Sequence, residues 1–395
     1  MAVVLVFLFG PSYALDLLQS YQKAKQYDAG YQSAYLAWQA AETKRGQGRA
    51  QFRPTVGLSS NTYYRYNNTH ERGFNHSEAG NVADISLRIN QTLYDQTKNY
   101  KADLFNLQAD AAQYQFFNVE QSLMLKIAEA YLGALDAQQQ LILLEQQHQT
   151  ATQQLQSAQR SFTLGVVTIT DVHEAQAALD EVVAQQWVAL NQKQIKLQAL
   201  SFLTGEASPQ VQRLDIQADF NHPEVPGVDS LMQKALQYNP QLQTQILNQR
   251  IAMVEVYKQR SAMTPTVEAY GSLSANWDPK GINNSEERQR SHSASIGITV
   301  NWPLYSGGLQ GALIQEAATS QQKAEFDVLH TRRQIEQQIN EQSTQLQNRL
   351  LQMQAIEQKI KSSRSVLDAT KKGQELGIRT QLDVLNAQQK YYQAQ

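Results

Sequence analysis

Residues 162–172 read FTLGVVTITDV, and residues 374–384 read QELGIRTQLDV. Aligned, Leu164-Gly165 falls on Leu376-Gly377, Thr168 on Thr380, and Asp171-Val172 on Asp383-Val384, an offset of 212 residues. A phrase repeated at that distance marks an internal duplication, and the rest of the chain is read outward from it.

Other matches share the spacing. ISLRINQTLY (85–94) falls on IGITVNWPLY (296–305), FRPTV (52–56) on MTPTV (263–267), and Tyr27-Asp28 on Tyr238-Asn239, each at an offset of 211. One unit therefore occurs twice. The expected division is a leader at 1–14, repeat 1 at 15–204, a Pro- and Gly-containing linker or insert at 205–229, and repeat 2 at 230–395. The second copy reaches Gln395 inside the segment matching Ala175–Ala184, so its return helix is expected to continue further.

Composition narrows the class. The chain has 395 residues, a net charge of −2, 18% charged residues and no cysteine. Disulfides, thiolate zinc sites, thiol catalysis and a lipidated N-terminal cysteine are excluded. No basic patch interleaved with aromatics suggests nucleic acid. Mean hydropathy is −0.51, and no apolar run is long enough for a membrane-spanning helix. The N-terminus is the exception. AVVLVFLF (2–9), Gly10-Pro11 and Ser12-Tyr13-Ala14 form a signal peptide with cleavage after Ala14. The usual basic stretch is missing, so the expected leader starts upstream of Met1. The alternative is a buried N-terminal strand.

Each repeat mixes two periodicities. Ile85, Leu87, Ile89 and Leu93 alternate with polar neighbours, as do Ile296, Ile298, Val300, Trp302 and Leu304. Segments 55–66 and 266–277 alternate more loosely. Polar loops are expected at 67–81 and 279–291, giving β-hairpins at 53–94 and 264–305. The plainer alternative is a half-buried soluble sheet. Strands of about 10–12 residues are long enough to cross a bilayer with tilt. Tyr63, Tyr64, Tyr66, Tyr94, Trp277, Trp302 and Tyr305 sit near the strand ends, as in an interfacial aromatic belt.

The second pattern is helical. Residues 96–164 and 307–376 contain no proline, and each would span about 100 Å as a helix. Leu141, Leu144, His148, Ala151, Leu155, Ala158 and Phe162 step by three and four as a heptad seam. Leu346, Leu350, Met353, Ile360 and Leu367 continue the pattern in repeat 2. The narrow stripe suits helices packed edge to edge with wet faces on both sides. Gly165 and Gly377 are expected C′ glycines. Thr168 and Thr380 then cap returning helices, so each motif is the tip of a long helical hairpin.

Enzyme motifs fail on inspection. His173-Glu174 would need a second histidine at 177, which is Ala. His148 belongs to a seam, and Gly46-Gln47-Gly48 lacks the context of a nucleotide loop. N-x-S/T matches at Asn67 and Asn283 are chance if the source is bacterial. No catalytic residue, metal or cofactor is expected.

The ordered set FTLGVVTITDV, ELGIRTQLDVLNAQ, RPTV, TPTV, LYDQ and LYSGG resembles the TolC family of outer-membrane channels across essentially the whole chain after residue 15. The resemblance implies a mainly α fold with membrane β. A homotrimer of duplicated units would close a 12-stranded barrel in outer-membrane lipid of a Gram-negative bacterium and continue as a periplasmic α-helical tunnel. It implies an exit duct for type I secretion or drug efflux. The partners would be a periplasmic adaptor and an inner-membrane ABC or proton-driven transporter.

By the same resemblance, Thr170 and Asp171 form the acceptor side of a gate that Arg379 reaches. Gln374 stands where a tyrosine would bond that aspartate. Asp383 forms a pore constriction, with Asn386 where a second aspartate is expected. The tips Leu164-Gly165-Val166 and Leu376-Gly377-Ile378 would dock the adaptor. Solvated helix-end residues are the plainer reading of Asp171 and Arg379. The rival architecture is a periplasmic coiled-coil adaptor, which would carry one hairpin and additional small β domains. Lack of cysteine argues against the acylated efflux channels.

Overall fold

The computed structural model describes residues 15–71, 74–212, 226–278 and 289–395. The leader and most of the linker lie outside them, as does Asn283. The elements run α1 (Leu17–Tyr27), α2 (Ala29–Ala50), β1 (Thr55–Glu71), β2 (Phe74–Tyr94), α3 (Gln96–Thr163), α4 (Ile169–Thr204), α5 (Val228–Tyr238), α6 (Pro240–Ser261), β3 (Thr266–Asp278), β4 (Gln289–Asn301), α7 (Leu309–Glu375) and α8 (Gln381–Ala394). The fold is mostly helical with one small antiparallel sheet. Its two compact units each draw on both repeats: of the described residues, 15–35, 117–212, 226–236 and 334–395 fall in one, and 36–71, 74–116, 237–278 and 289–333 in the other.

The matched pairs Tyr27-Asp28 and Tyr238-Asn239 are helix breaks. The Asp28 carboxylate accepts from the Tyr31 N–H at 2.6 Å, and the Asn239 side chain accepts from the Leu242 N–H at 3.0 Å. Asp and Asn favour such capping positions over a helix interior, which divides the expected first helix of each repeat in two. Pro240 follows as the first residue of α6, where its missing N–H costs nothing.

The sheet has the order β1-β2-β3-β4, and β2 beside β3 joins the two repeats. Its register sorts side chains by face. Leu58, Leu87, Leu273 and Ala294 form one cross-strand row, and Val56, Ile89, Gly271 and Ile296 another. Ser59, Ser86, Ser274 and Ser293 form the adjacent row on the opposite face. There Ser59 and Ser86 are hydrogen-bonded at 2.7 Å, and Ser274 and Ser293 at 2.6 Å.

The first hairpin corrects the expected loop at 67–81. β1 runs on to Glu71 and β2 resumes at Phe74. The polar sequence hid this ribbon because a run without apolar alternation gives no strand period to read. In repeat 2, β3 ends at Asp278 and β4 begins at Gln289, inside the loop expected at 279–291, of which residues 279–288 lie outside the described ones.

In the other unit, Tyr131, Ala134, Leu200 and Val211 form a small core. The Tyr131 hydroxyl donates to the carbonyls of Gln212 (2.9 Å) and Leu15 (3.2 Å), beside a parallel bridge between Leu15 and Val211. Burial pushes the Tyr131 phenol pKa up. Tyr131→Phe is expected to cost about 0.5–1.5 kcal/mol, the net worth of an ordinary hydrogen bond, because the Leu15 carbonyl keeps the Gln212 N–H at 3.0 Å and Gln212 is exposed. Heat resistance of the purified protein checks this, and an unchanged melting profile would contradict it. Nearby, Lys25 bonds Glu120 at 2.8 Å, and the Tyr21 hydroxyl donates to the same carboxylate at 3.2 Å.

The expected α3 seam is partly kept. Ala151 and Ala158 are buried and His148 is half-buried, but Phe162 is exposed. In α7, Leu367 is buried whereas Leu346 is 44% exposed. Buried Ser343 takes the heptad place instead, aligned with half-buried Leu350, Met353 and Ile360.

Candidate functional site

Both tips are built the same way. At the end of α3, the Gly165 N–H donates to Phe162 O and the Val166 N–H to Ser161 O, both at 2.9 Å. At the end of α7, the Gly377 N–H donates to Gln374 O (2.9 Å) and the Ile378 N–H to Gly373 O (2.8 Å). This is the Schellman pattern, which needs a left-handed residue at C′. Gly165 and Gly377 supply it with φ of 73° and 75°. Leu164 (78% exposed), Val166, Leu376 and Ile378 all project into solvent. Four exposed large apolar side chains on two turns are unusual where polar turn residues would serve.

The return helices start with matching capping boxes. The Asp171 N–H donates to Thr168 Oγ1 at 3.3 Å, and the Asp171 carboxylate accepts from the Thr168 N–H at 2.8 Å. Thr380 and Asp383 repeat this at 3.2 and 3.0 Å. The Thr168 hydroxyl, then its N–H, holds the Asp171 pKa below the usual carboxylate value. For Asp383 the Thr380 N–H and hydroxyl do the same, with a smaller contribution from the charge of Arg379. A lowered folded-state pKa contributes stability that is complete above the unfolded value and lost as pH falls through the folded one. Both tips are therefore expected to loosen below about pH 4. Amide exchange at residues 168–171 and 380–383 checks this, and protection unchanged down to pH 2 would contradict it.

Asp171 and Asp383 thus share one local role. Thr170 lies beside Asp171 in the first turn of α4. No ion pair joins Arg379 to Asp171 among the described residues of the single protomer. Gln374 donates through Nε2 to Gln381 Oε1, across its own tip. Asn386 and Glu174, 212 residues apart, both line a groove of about 510 Å³ between α3, α4 and α8. The groove is bridged by Gln154 to Gln388 and by Thr150 to Tyr392. These polar bridges carry no motif, and only the pairing of helices reveals them.

The aromatic residues mark two levels on the sheet. Trp277 pairs with Ala83 and Arg290, and the Arg290 guanidinium sits 4.6 Å from the Trp277 ring centre. At the other end Tyr94 pairs with Val267, beyond a bulge that shifts its register onto the apolar face. Trp302 and Tyr305 follow the end of β4, where Trp302 Nε1 donates to Met263 O at 3.1 Å. Ten residues separate Val267 from Trp277. At about 3.3 Å per residue and 45° tilt that is about 23 Å, close to the apolar band of a membrane barrel. Tyr64 and Tyr66 share the alternation of Leu58. Tyr63 falls on the serine face instead, opposite Val82. Between the two levels, Val56, Leu58, Ile85, Ile89, Leu273, Ile296 (91%) and Ile298 are exposed.

The chain matches the outer membrane efflux protein family over residues 20–206 and 231–395. It is 26% identical over 388 residues to outer membrane protein TolC of Vibrio cholerae, covering 97% of this chain and 86% of that protein. It is 28% identical over 401 residues to the alkaline protease secretion protein AprF of Pseudomonas aeruginosa, covering 99% and 82%. Its fold is similar to that of a membrane protein from Pseudomonas aeruginosa (TM-score 0.81, 18% identity, 97% of this chain and 88% of that one). It also resembles the outer membrane protein VceC of Vibrio cholerae (TM-score 0.77, 17% identity, 96% and 90%).

Proposed function

We propose that this chain, which belongs to the outer membrane efflux protein family, works as a homotrimer gated at its two helical tips. The chain is an outer-membrane exit duct with a periplasmic extension, and its family and relatives are channels rather than enzymes. The adaptor architecture is set aside by that family match.

One observation carries closure by several copies: a four-stranded sheet with an exposed apolar face, a serine-lined opposite face, and β1 and β4 as its edges. Lipid tolerates no open sheet edge, so a membrane sheet must close. Four is even, so β4 of one copy meets β1 of the next antiparallel. Three copies give twelve strands. Lipid then covers the Leu58–Leu87–Leu273 face, and the serine rows line a wet lumen.

The tips supply the gate and the docking surface. Arg379 links to Thr170 or Asp171 of a neighbouring hairpin, while Asp383 and Asn386 narrow the passage. A periplasmic adaptor meets the exposed apolar turns, and an ABC or proton-driven transporter loads the duct. The test is single-cysteine labelling along 84–93, which is simple in a chain without cysteine. Lumenal reagents should mark Ser86, Arg88 and Asn90 and spare Ile85, Leu87 and Ile89, whereas uniform labelling would sink the barrel. Leu87→Arg is expected to cost about 2–4 kcal/mol if it lies near the midplane. The yield of heat-resistant trimers reads this out, and an undiminished yield would contradict it.

A further inference from the structure

We propose that Gly373 is a positioning residue for Arg379: by carrying no side chain in the last turn of α7, it lets the arginine fold over that turn and aim its guanidinium. The inference rests on the gate reading above.

Two observations support it. A Cβ placed on Gly373 would lie 2.8 Å from Arg379 Cγ and 3.5 Å from Arg379 Cβ. The first is closer than carbon atoms approach, so the present arginine conformer requires a glycine. The Gly373 carbonyl also accepts two N–H groups, from Ile378 at 2.8 Å and Arg379 at 3.1 Å. The second bond draws residue 379 down onto the helix end. Backbone conformation does not ask for glycine here, since Gly373 is not among the positive-φ glycines. Glycine is also a poor helix former, so a 67-residue helix gains nothing from it. What it provides is space.

The duplication supplies an internal control. At the offset of 212, Gly373 corresponds to Ser161 and Arg379 to Val167. In repeat 1 the Ser161 carbonyl accepts only the Schellman bond from Val166, at 2.9 Å. The tip that carries the arginine carries the glycine, and the tip that lacks one lacks the other. A methyl at 373 would push Arg379 χ1 into another staggered well, about 120° away. That moves the charged head by several bond lengths and off its partner on the adjoining hairpin.

The experiment compares wild-type, Gly373→Ala, Arg379→Ser and the double variant as purified trimers in planar bilayers at one salt concentration. Gly373→Ala should raise conductance by about threefold or more, a fair share of one lost ion-pair link. The double variant should go no further than Arg379→Ser alone. Gly373→Ser, which installs the residue of repeat 1, should behave like Gly373→Ala. If Arg379→Ser opens the channel and Gly373→Ala leaves it unchanged, the positioning role is overturned and the gate stands. If the two effects simply add, the glycine acts through the helix and not through Arg379, which also overturns the proposal. If neither variant changes conductance, the gate reading itself fails. A purely structural glycine would shift the heat resistance of trimers without moving conductance.

Discussion

Gly165→Val and Gly377→Val are each expected to abolish export while trimers still assemble, and the matching Asn variants should keep most of it. Space is not the reason, because a Cβ at either position meets nothing within 4 Å. The backbone is the reason. At φ of 73° and 75° an L-residue pays about 1–2 kcal/mol, a β-branched one more, whereas Asn tolerates the region. Valine would either hold that strain or leave the left-handed well. Leaving it breaks the Gly165 bond to Phe162 and the Val166 bond to Ser161, or their counterparts at Gln374 and Gly373. Leu164 and Val166, or Leu376 and Ile378, then no longer present the same apolar surface to an adaptor. The measurement is secreted cargo against the amount of heat-resistant trimer. Normal export in both valine variants would remove the tips from the docking surface.

Arg379→Ser and Asp171→Ala are expected to leave the channel open at rest and to admit large antibiotics into cells. An exposed ion pair is worth only about 0–1 kcal/mol. Three copies around a threefold axis could sum to a few kcal/mol. About 1.4 kcal/mol already changes a population tenfold, so such a sum keeps the closed state dominant and still yields to adaptor binding. On the gate reading, two features of this chain should weaken the closed state. Gln374 bonds Gln381 within its own tip, and so does not add a second link toward Asp171. Asp171 also holds the start of α4 through its capping box. Asp171→Ala should therefore both open the gate and loosen that helix end, whereas Arg379→Ser should only open the gate. Asp383→Ala should instead alter cation selectivity and weaken block by multivalent cations. Antibiotic susceptibility equal to wild-type in the Arg379 and Asp171 variants would contradict the assignment.

The parts of this fold that were legible are those that repeat or alternate. Leu-Gly with a threonine three residues on reads as a turn and a cap because only a left-handed C′ and an N-cap use those residues in that order. Ile85, Leu87 and Ile89 read as a strand because one face of the sheet is apolar and the other polar. The parts that stayed hidden lack such a signal. Residues 67–71 and 74–81 are strand whose sequence has no apolar alternation. Asp28 and Asn239 interrupt helices by capping, which only their match across the repeats hints at. Tyr63 differs from Tyr64 by one residue, and one residue reverses the face. Tyr94 keeps its place only through the bulge before it. Asp171 and Asp383 received different roles by resemblance, although the opening alignment already made them one position. The capping boxes show what that shared position does locally. Gly373 is not legible in the sequence, because nothing in a helix pattern explains a glycine. Its reason lies in the arginine six residues on.

The account turns on whether the tips close the duct, and single-channel conductance of purified wild-type and Arg379→Ser trimers in planar bilayers tests this most directly. The account predicts small wild-type steps and several-fold larger ones for the variant at the same salt concentration, with trimers intact in both. Equal steps would make Arg379 an ordinary helix-end arginine and place the closure elsewhere in the channel.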